Sequence, residues 1–225
     1  QEIAGVYGMI ELPIIRDRLR LIAGARGEYS YILINTFDIN EGRQVDIIKN
    51  TLDPMPAINL VYSPRNDMNV RFAWSRTVAR PDFRELSPAI YPATRGLRDV
   101  AGNPALVQTD IESIDLRWEW FFSPSELVSL GGFYKHLDQP IEQAILVSGG
   151  NLIDSFANSE KADLYGFEFE LRKNFGFLSP WLEKLTFTTN VTYAESTVKV
   201  GEPDGLTSAV VSDDRELQGQ APFIV

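Results

Sequence analysis

Several residue types and motifs are scarce or missing in this 225-residue chain. It contains no cysteine and a single histidine, His136. A disulfide framework and a thiolate metal site are therefore excluded, and one histidine cannot supply a His-rich metal site. The sequence also has no glycine-rich phosphate loop and no nucleophilic serine elbow. We therefore predict no catalytic residue, no cofactor and no metal, and expect a protein that is not an enzyme.

Long apolar runs and positive charge are scarce as well. No run of about 18 apolar residues occurs, which excludes a membrane-spanning helix but not a membrane-spanning β-barrel. The chain has 21 Lys+Arg against 31 Asp+Glu, a formal net charge of -10. This charge would repel nucleic acid, which we exclude as a partner. No export signal follows Gln1, so we expect any such signal to lie outside this sequence or to have been removed.

Apolar and polar residues alternate with a period of two along most of the chain. The pattern is clearest from Ser113 to Phe122, and it recurs from Tyr165 to Arg172. The apolar spacing of three and four residues that an amphipathic helix needs is missing from these stretches. We predict eight strands near 3–12, 18–35, 56–63, 68–78, 109–122, 126–137, 161–173 and 184–196, and a ninth that starts near 217. The segment 141–147 either extends the sixth strand or forms its own hairpin within a loop.

Short and long connections alternate between the predicted strands. The short turns lie at 13–17, 63–67, 123–125 and 175–183, and the long loops lie at 36–55, 79–108, 138–160 and 197–216. In an antiparallel meander this order places all short turns at one end of the sheet. Such sorting is typical of outer-membrane barrels, and a soluble sandwich has no reason to adopt it. Aromatic residues cluster at both strand ends, which predicts belts at two membrane interfaces.

Charged residues form rows on the polar faces of two predicted strands. They cannot fill a small eight-stranded barrel, but they suit the wet interior of a large one. We expect them to face the lumen and to pair across strands, at about 0–1 kcal/mol for each exposed pair. The six residues of this lumen-facing row are Asp115, Arg117, Glu119, Glu168, Glu170 and Arg172. The spacing of Glu168 and Glu170 would also suit a glycosidase pair, but a row balanced by Arg172 is the commoner arrangement.

Seven segments resemble TonB-dependent outer-membrane receptors of Gram-negative bacteria. They are 72–88 (FAWSRTVARPDFRELSP), 102–106 (GNPAL), 115–121 (DLRWEWF), 123–127 (SPSEL), 133–135 (FYK), 140–142 (PIE) and 166–173 (GFEFELRK). The segment 217–222 (LQGQAP) is similar to the start of a late barrel strand. The motifs occur in the order of the family, the resemblance covers most of 57–225, and 1–35 fits as an earlier hairpin.

The resemblance implies an all-β fold, an antiparallel transmembrane β-barrel of about 22 strands with an N-terminal plug. Residues 1–225 would then be a single barrel segment, with the plug domain and the remaining strands outside it. The implied function is uptake into the periplasm of a scarce nutrient: a ferric siderophore, haem, cobalamin or a glycan. The implied partners are outer-membrane lipid on the outer face, the plug, the TonB system and the ligand. A soluble all-β carbohydrate-binding module is the main alternative, and a passive porin without a plug is another.

Candidate ligand contacts lie where a strand meets the loop 79–108. A charged cluster of Arg76, Arg80, Asp82 and Arg84 occurs there, and loops commonly carry binding residues. The predicted ligand contacts are Arg80, Arg84, Tyr91, Arg95 and Arg98. In the alternative interpretation Pro81 fixes a turn and the charges are only solvated. An acidic loop could bind calcium but lacks EF-hand spacing, so solvation is the commoner explanation; it contains Glu202, Asp204, Asp213, Asp214 and Glu216.

Overall fold

The computed structural model describes residues 1–38, 42–92, 98–148, 150–200 and 215–224, without the side chains of 38, 147 and 148. In this part of the chain nearly all secondary structure is antiparallel β. Among the described residues, no helix has the length and apolar character needed to cross a membrane.

Thirteen strands and one short helix occur in the described residues. The strands are β1 (Glu2–Ile15), β2 (Leu19–Asp38), β3 (Arg43–Arg65), β4 (Met68–Ala79), β5 (Ile90–Tyr91), β6 (Val100–Ala101), β7 (Thr109–Ser123), β8 (Glu126–Asp138), β9 (Ile141–Ser148), β10 (Asn151–Asn158), β11 (Lys161–Asn174), β12 (Thr186–Lys199) and β13 (Phe223–Ile224). The helix α1 spans Phe83–Leu86, and two 3-10 helices span Phe175–Phe177 and Pro180–Leu182.

Nine strands form one antiparallel sheet in the order β1-β2-β3-β4-β7-β8-β11-β12-β13. The eight predicted strands are confirmed, and neighbours in this sheet follow one another along the chain once the smaller strands are left out. Within the described residues the sheet is open, since β1 and β13 are not paired with each other. The prediction of an antiparallel barrel sheet is therefore confirmed, and the part present here is not a closed barrel.

Two predicted boundaries were wrong. The segment 36–55 is mostly strand, because β2 and β3 continue as a paired hairpin from Leu19 opposite Tyr62 to Asp38 opposite Arg43. The polar residues of this segment hid its alternation. The ninth strand begins at Phe223 and not near 217. Gly219 has a left-handed φ of 75°, and the turn that it allows delays the strand.

The two faces of the large sheet differ in polarity. Side chains directly opposite each other on paired strands share a face, so the register of Phe72 with Leu116, and of Leu116 with Gly132, fixes one apolar face. Large apolar side chains on this face are exposed, for example Leu116 at 55% and Phe167 at 52%. Soluble monomers rarely expose apolar surface on this scale. The opposite face carries all six residues of the charged row.

The segments 79–108 and 138–160, predicted as long loops, build a second sheet of order β5-β6-β10-β9. The hairpin of β9 and β10 confirms one of the two predictions for 141–147. A small core of Ile32, Leu86 and Leu106 joins this region to the large sheet. Ile32 lies on the polar face of β2, so the segment 79–108 folds over the polar face.

Candidate functional site

The predicted ligand contacts lie around the segment that connects β4 to β7. Arg84 on α1 stacks on Tyr91 of β5, with its guanidinium carbon 5.1 Å from the centre of the ring. Arg84 is exposed and Phe83 beside it is 45% exposed. A guanidinium over an aromatic face stays rigid while it keeps its hydrogen-bond donors available. The pair therefore forms a small platform that can contact an anionic or aromatic ligand.

Helix α1 is fixed locally by its own sequence. The carboxylate of Glu85 accepts a hydrogen bond from the backbone N–H of Asp82 at 2.8 Å, and together the two residues form a capping box. Leu86 is fully buried in the small core. The apolar anchor and the cap hold Arg84 on the outer side of the turn.

Arg80, four residues before Arg84, forms two ion pairs with the hairpin of β2 and β3. Its guanidinium donates to Asp53 at 2.5 Å and to Glu28 at 2.9 Å, and its side chain is 14% exposed. Burial disfavours the charge, but hydrogen bonds with the Asp53 and Glu28 carboxylates hold the pKa of Arg80 above its ordinary value. Arg80 thus remains charged and joins the connecting segment to β2 and β3.

The other predicted contacts lie apart from this platform. Arg98 pairs with Asp154 of β10 at 3.0 Å, at the edge of the second sheet. Arg95 lies outside the described residues. Arg76 was grouped with Arg80 in the sequence, but it lies on the apolar face of the large sheet and pairs there with Asp110 at 2.7 Å. The predicted charged cluster is therefore divided between two faces.

Five of the six charged-row residues form one ion-pair network on the polar face. Arg117 is its centre and contacts Glu170 at 2.8 Å, Glu119 at 3.3 Å and Glu168 at 3.8 Å. Arg172 contacts Glu170 at 3.5 Å, which extends the network along β11. The sixth residue, Asp115, is exposed farther along the same face. The network thus links β7 to β11 across β8, where Arg117 donates a hydrogen bond to the Ser129 hydroxyl at 3.0 Å, and it forms a partly exposed polar surface.

Several polar residues at this end of the sheet are buried although the alternating pattern did not predict them. Asp53 and Glu142, both nearly buried, fall in stretches first interpreted as loops. Glu142 pairs with Arg215 and accepts a hydrogen bond from Ser159 at 3.2 Å. Of the acidic loop, only Glu216 is described; residues 202, 204, 213 and 214 are not. In the ranges that the structure covers, no group of three or more His, Asp and Glu side chains could hold a metal ion.

The GNPAL motif, residues 102–106, forms hydrogen bonds within the segment that connects β4 to β7 and with β10. The backbone N–H of Gly102 donates to the Ser87 carbonyl at 2.9 Å, and that of Asn103 donates to the Glu85 carbonyl at 2.5 Å. The Asn103 side chain donates to the Phe156 carbonyl on β10 at 3.0 Å. The motif therefore joins the end of α1 to the second sheet.

Several solved structures with the same fold are named in their titles as receptors or transporters. The siderophore receptor PirA from Pseudomonas aeruginosa matches with a TM-score of 0.59 at 16% identity, over 87% of this chain and 45% of PirA. The hemophore receptor HasR of Serratia marcescens, in complex with its hemophore HasA and heme, matches with a TM-score of 0.67 at 14% identity, over 86% of this chain and 33% of HasR. The copper transporter OprC matches with a TM-score of 0.64 at 13% identity, over 87% of this chain and 29% of OprC.

These identities are low, and the similarity shows the fold alone. The chain spans less than half the length of each of these three structures. A comparison with curated proteins finds no match. The model of a protein family, described as TonB dependent receptor-like β-barrel, matches residues 1–223, which is nearly the whole chain. The chain therefore belongs to the TonB-dependent receptor-like β-barrel family.

Proposed function

We propose that this chain is part of the barrel of an outer-membrane receptor that takes up a scarce nutrient into the periplasm. Proteins of the family are outer-membrane β-barrels of Gram-negative bacteria. The observation that carries the proposal is the two-faced sheet: exposed apolar side chains on one face and the Arg117 network on the other. In a membrane the apolar face contacts lipid and the charged face lines a wet lumen.

The ligand class follows from the Arg84–Tyr91 platform. An exposed guanidinium held on an aromatic ring suits ligands that combine negative charge with flat aromatic groups. Ferric siderophores and haem have this chemistry, whereas neutral glycans and cobalamin fit it less well. Two of the similar structures are named as a siderophore receptor and as a hemophore receptor in complex with heme, which is consistent with this choice, whereas the copper transporter does not bear on it. Arg98, which pairs with Asp154 at the edge of the second sheet, is a separate candidate contact.

The energy for uptake would come from outside these residues. In the proposed receptor a plug domain fills the lumen and contacts the TonB system, while the described strands supply the wall. The polar row around Arg117 is the part of the wall that would face the plug. Lipid on the apolar face completes the set of partners.

The first test concerns the class of protein. The full-length protein should fractionate with outer membranes and migrate differently in gels before and after heating, because a folded barrel resists detergent denaturation. Recovery of the full-length protein as a soluble monomer without detergent would contradict the proposal and support the carbohydrate-binding alternative.

The second test concerns the ligand. In the purified full-length protein, Arg84→Gln should raise the Kd for haem or for a ferric tris-catecholate siderophore about tenfold, because a charge-assisted contact of about 1.4 kcal/mol is lost. Binding is measured by quenching of tryptophan fluorescence. Arg16→Gln is the matched control, since Arg16 is 95% exposed in the turn at the opposite end of the sheet. If Arg84→Gln binds both probes as the wild type does, the platform is not the contact.

A further inference from the structure

Strands β3 and β4 are paired along only part of their length. The last paired residues toward the connecting segment are Ala57 and Ser75, although β3 stays paired with β2 as far as Arg43. Pro54 and Pro56 lie just beyond this point and have no amide hydrogen, so neither can donate a backbone hydrogen bond to β4. The two strands therefore separate at a seam that backbone pairing does not close.

Two carboxylates of the β2–β3 hairpin reach across this seam to Arg80: that of Asp53 at 2.5 Å and that of Glu28 on β2 at 2.9 Å. Asp53 lies on β3 directly beyond the prolines, and its side chain is 6% exposed. One of its oxygens accepts from the Arg80 guanidinium at 2.5 Å and from the Thr51 hydroxyl at 2.8 Å. Its other oxygen accepts from the Gln108 side-chain amide at 2.6 Å. Both oxygens are thus occupied, and they face groups from β3 and from the chain beyond β4.

The two more distant partners of Asp53 stand at the two ends of one segment. Arg80 directly follows β4, and Gln108 directly precedes β7. Ala79 and Thr109 are paired in the ladder between those strands, so the two ends already lie side by side. Asp53 adds a link that the ladder lacks, because it joins this pair of ends to β3 across the seam.

The seam separates the two halves of the small core. Ile32 belongs to the hairpin of β2 and β3, whereas Leu86 and Leu106 belong to the connecting segment. If β3 and β4 moved apart here, Leu86 would lose its packing contact with Ile32, and α1 would lose the apolar contact that anchors it to the large sheet. The link that Asp53 makes is one of the contacts that support the Arg84–Tyr91 platform, beside the hydrogen bond of 3.1 Å between the Thr36 and Ser87 hydroxyls.

The composition of the cluster favours a positional role over a stabilising one. The Arg80 Nε and the Gln108 Oε1 atoms are buried without a hydrogen-bond partner among the described residues. A buried ionic cluster that is not fully satisfied contributes little net stability, because the loss of hydration offsets the attraction. What it does provide is a single preferred arrangement of the groups that it joins.

We propose that Asp53 is a positioning residue for ligand binding, which holds segment 80–108 against β3 so that Arg84 and Tyr91 face the ligand. This inference rests on the proposed function. Asp53 itself contacts no ligand in this arrangement and acts through Arg80 and Gln108. Glu28 still neutralises Arg80 when the charge of Asp53 is removed, so the barrel should survive the change.

The test uses the full-length protein and the variant Asp53→Asn. Asp46→Asn is the matched control, since Asp46 lies on the same strand and accepts a hydrogen bond from Asn35 at 2.7 Å, away from the segment. Hydrogen exchange of residues 83–92 and 98–106 should become at least tenfold faster in Asp53→Asn and stay unchanged in the control. The Kd for haem or the ferric tris-catecholate should rise about tenfold, and Arg84→Gln should then add little further loss.

Three results would separate the possible outcomes. Unchanged exchange in Asp53→Asn overturns the proposal. Faster exchange with unchanged probe affinity shows a structural link only and also overturns the positioning role. If the wild type binds neither probe, the proposed ligand class fails, whereas the exchange data still decide whether Asp53 holds the segment. Should Asp53→Asn fail to show heat-modifiable migration, Gln108→Leu removes one arm of the link without touching the ion pair, and the same readouts apply.

Discussion

Gly102 offers the sharpest test of how the connecting segment is held. A Cβ atom at this position would meet the Arg84 carbonyl oxygen, and it would lie 2.5 Å from the Ser87 carbonyl oxygen and 2.6 Å from that of Glu85. All three atoms are backbone, so no side-chain rotation can relieve the contact. Gly102→Ala must push the chain away from residues 84–87.

The size of the effect follows from these contacts. Overpacking of this kind costs about 1–3 kcal/mol. Separation would also weaken the hydrogen bonds from Gly102 to Ser87 and from Asn103 to Glu85, each worth about 0.5–1.5 kcal/mol. The substitution should therefore destabilise the local structure of the connecting segment by at least about 2 kcal/mol. The β4–β7 ladder should be unaffected, because Gly102 is not part of it.

Hydrogen exchange of the full-length protein measures this cost directly. Amides of residues 84–87 and 102–106 should exchange at least about 30-fold faster in Gly102→Ala, since each 1.4 kcal/mol is a factor of ten. Gly27→Ala is the matched control, because a Cβ at Gly27 on β2 meets nothing within 4 Å. The close-approach argument is refuted if both variants exchange alike, or if Gly102→Ala leaves the protection of the segment unchanged.

Three further predictions concern the large sheet. Gly166→Val on β11 would place a Cβ against the carbonyl oxygen of Tyr193. The urea concentration at which half of the full-length barrel is unfolded, measured by heat-modifiable migration, should therefore fall. An unchanged midpoint would count against that contact. Arg117→Met leaves the neighbouring carboxylates without their common partner, and the same titration should show a loss of about 1–3 kcal/mol that Arg16→Gln does not show. Trp181 is 80% exposed at the short-turn end, so Trp181→Phe should reduce fluorescence quenching by brominated lipids, and equal quenching would place this ring outside the membrane interface.

The strands and their faces could be predicted because they depend on local order alone. Successive side chains of a strand point to opposite faces, so the order of Leu116, Arg117 and Trp118 already assigns each residue to a face. The grouping of Arg117 with Glu119 and Glu170 then follows once β7 and β11 lie close together. The candidate platform was predicted only as a set of loop residues, since nothing in the sequence indicates that Arg84 stacks on Tyr91.

The order of residues along the chain is sufficient for the period-two pattern, the succession of hairpins and the polarity of the two faces. Which distant groups meet depends on the folded chain. Asp53 and Arg80 are 27 residues apart, and Asp154 of β10 pairs with Val100 of β6 in parallel. Such contacts depend on how the connecting segments fold back over the sheet. No local spacing of residues records that path, because hydrogen bonds and buried contacts between distant segments exist only once the chain has folded.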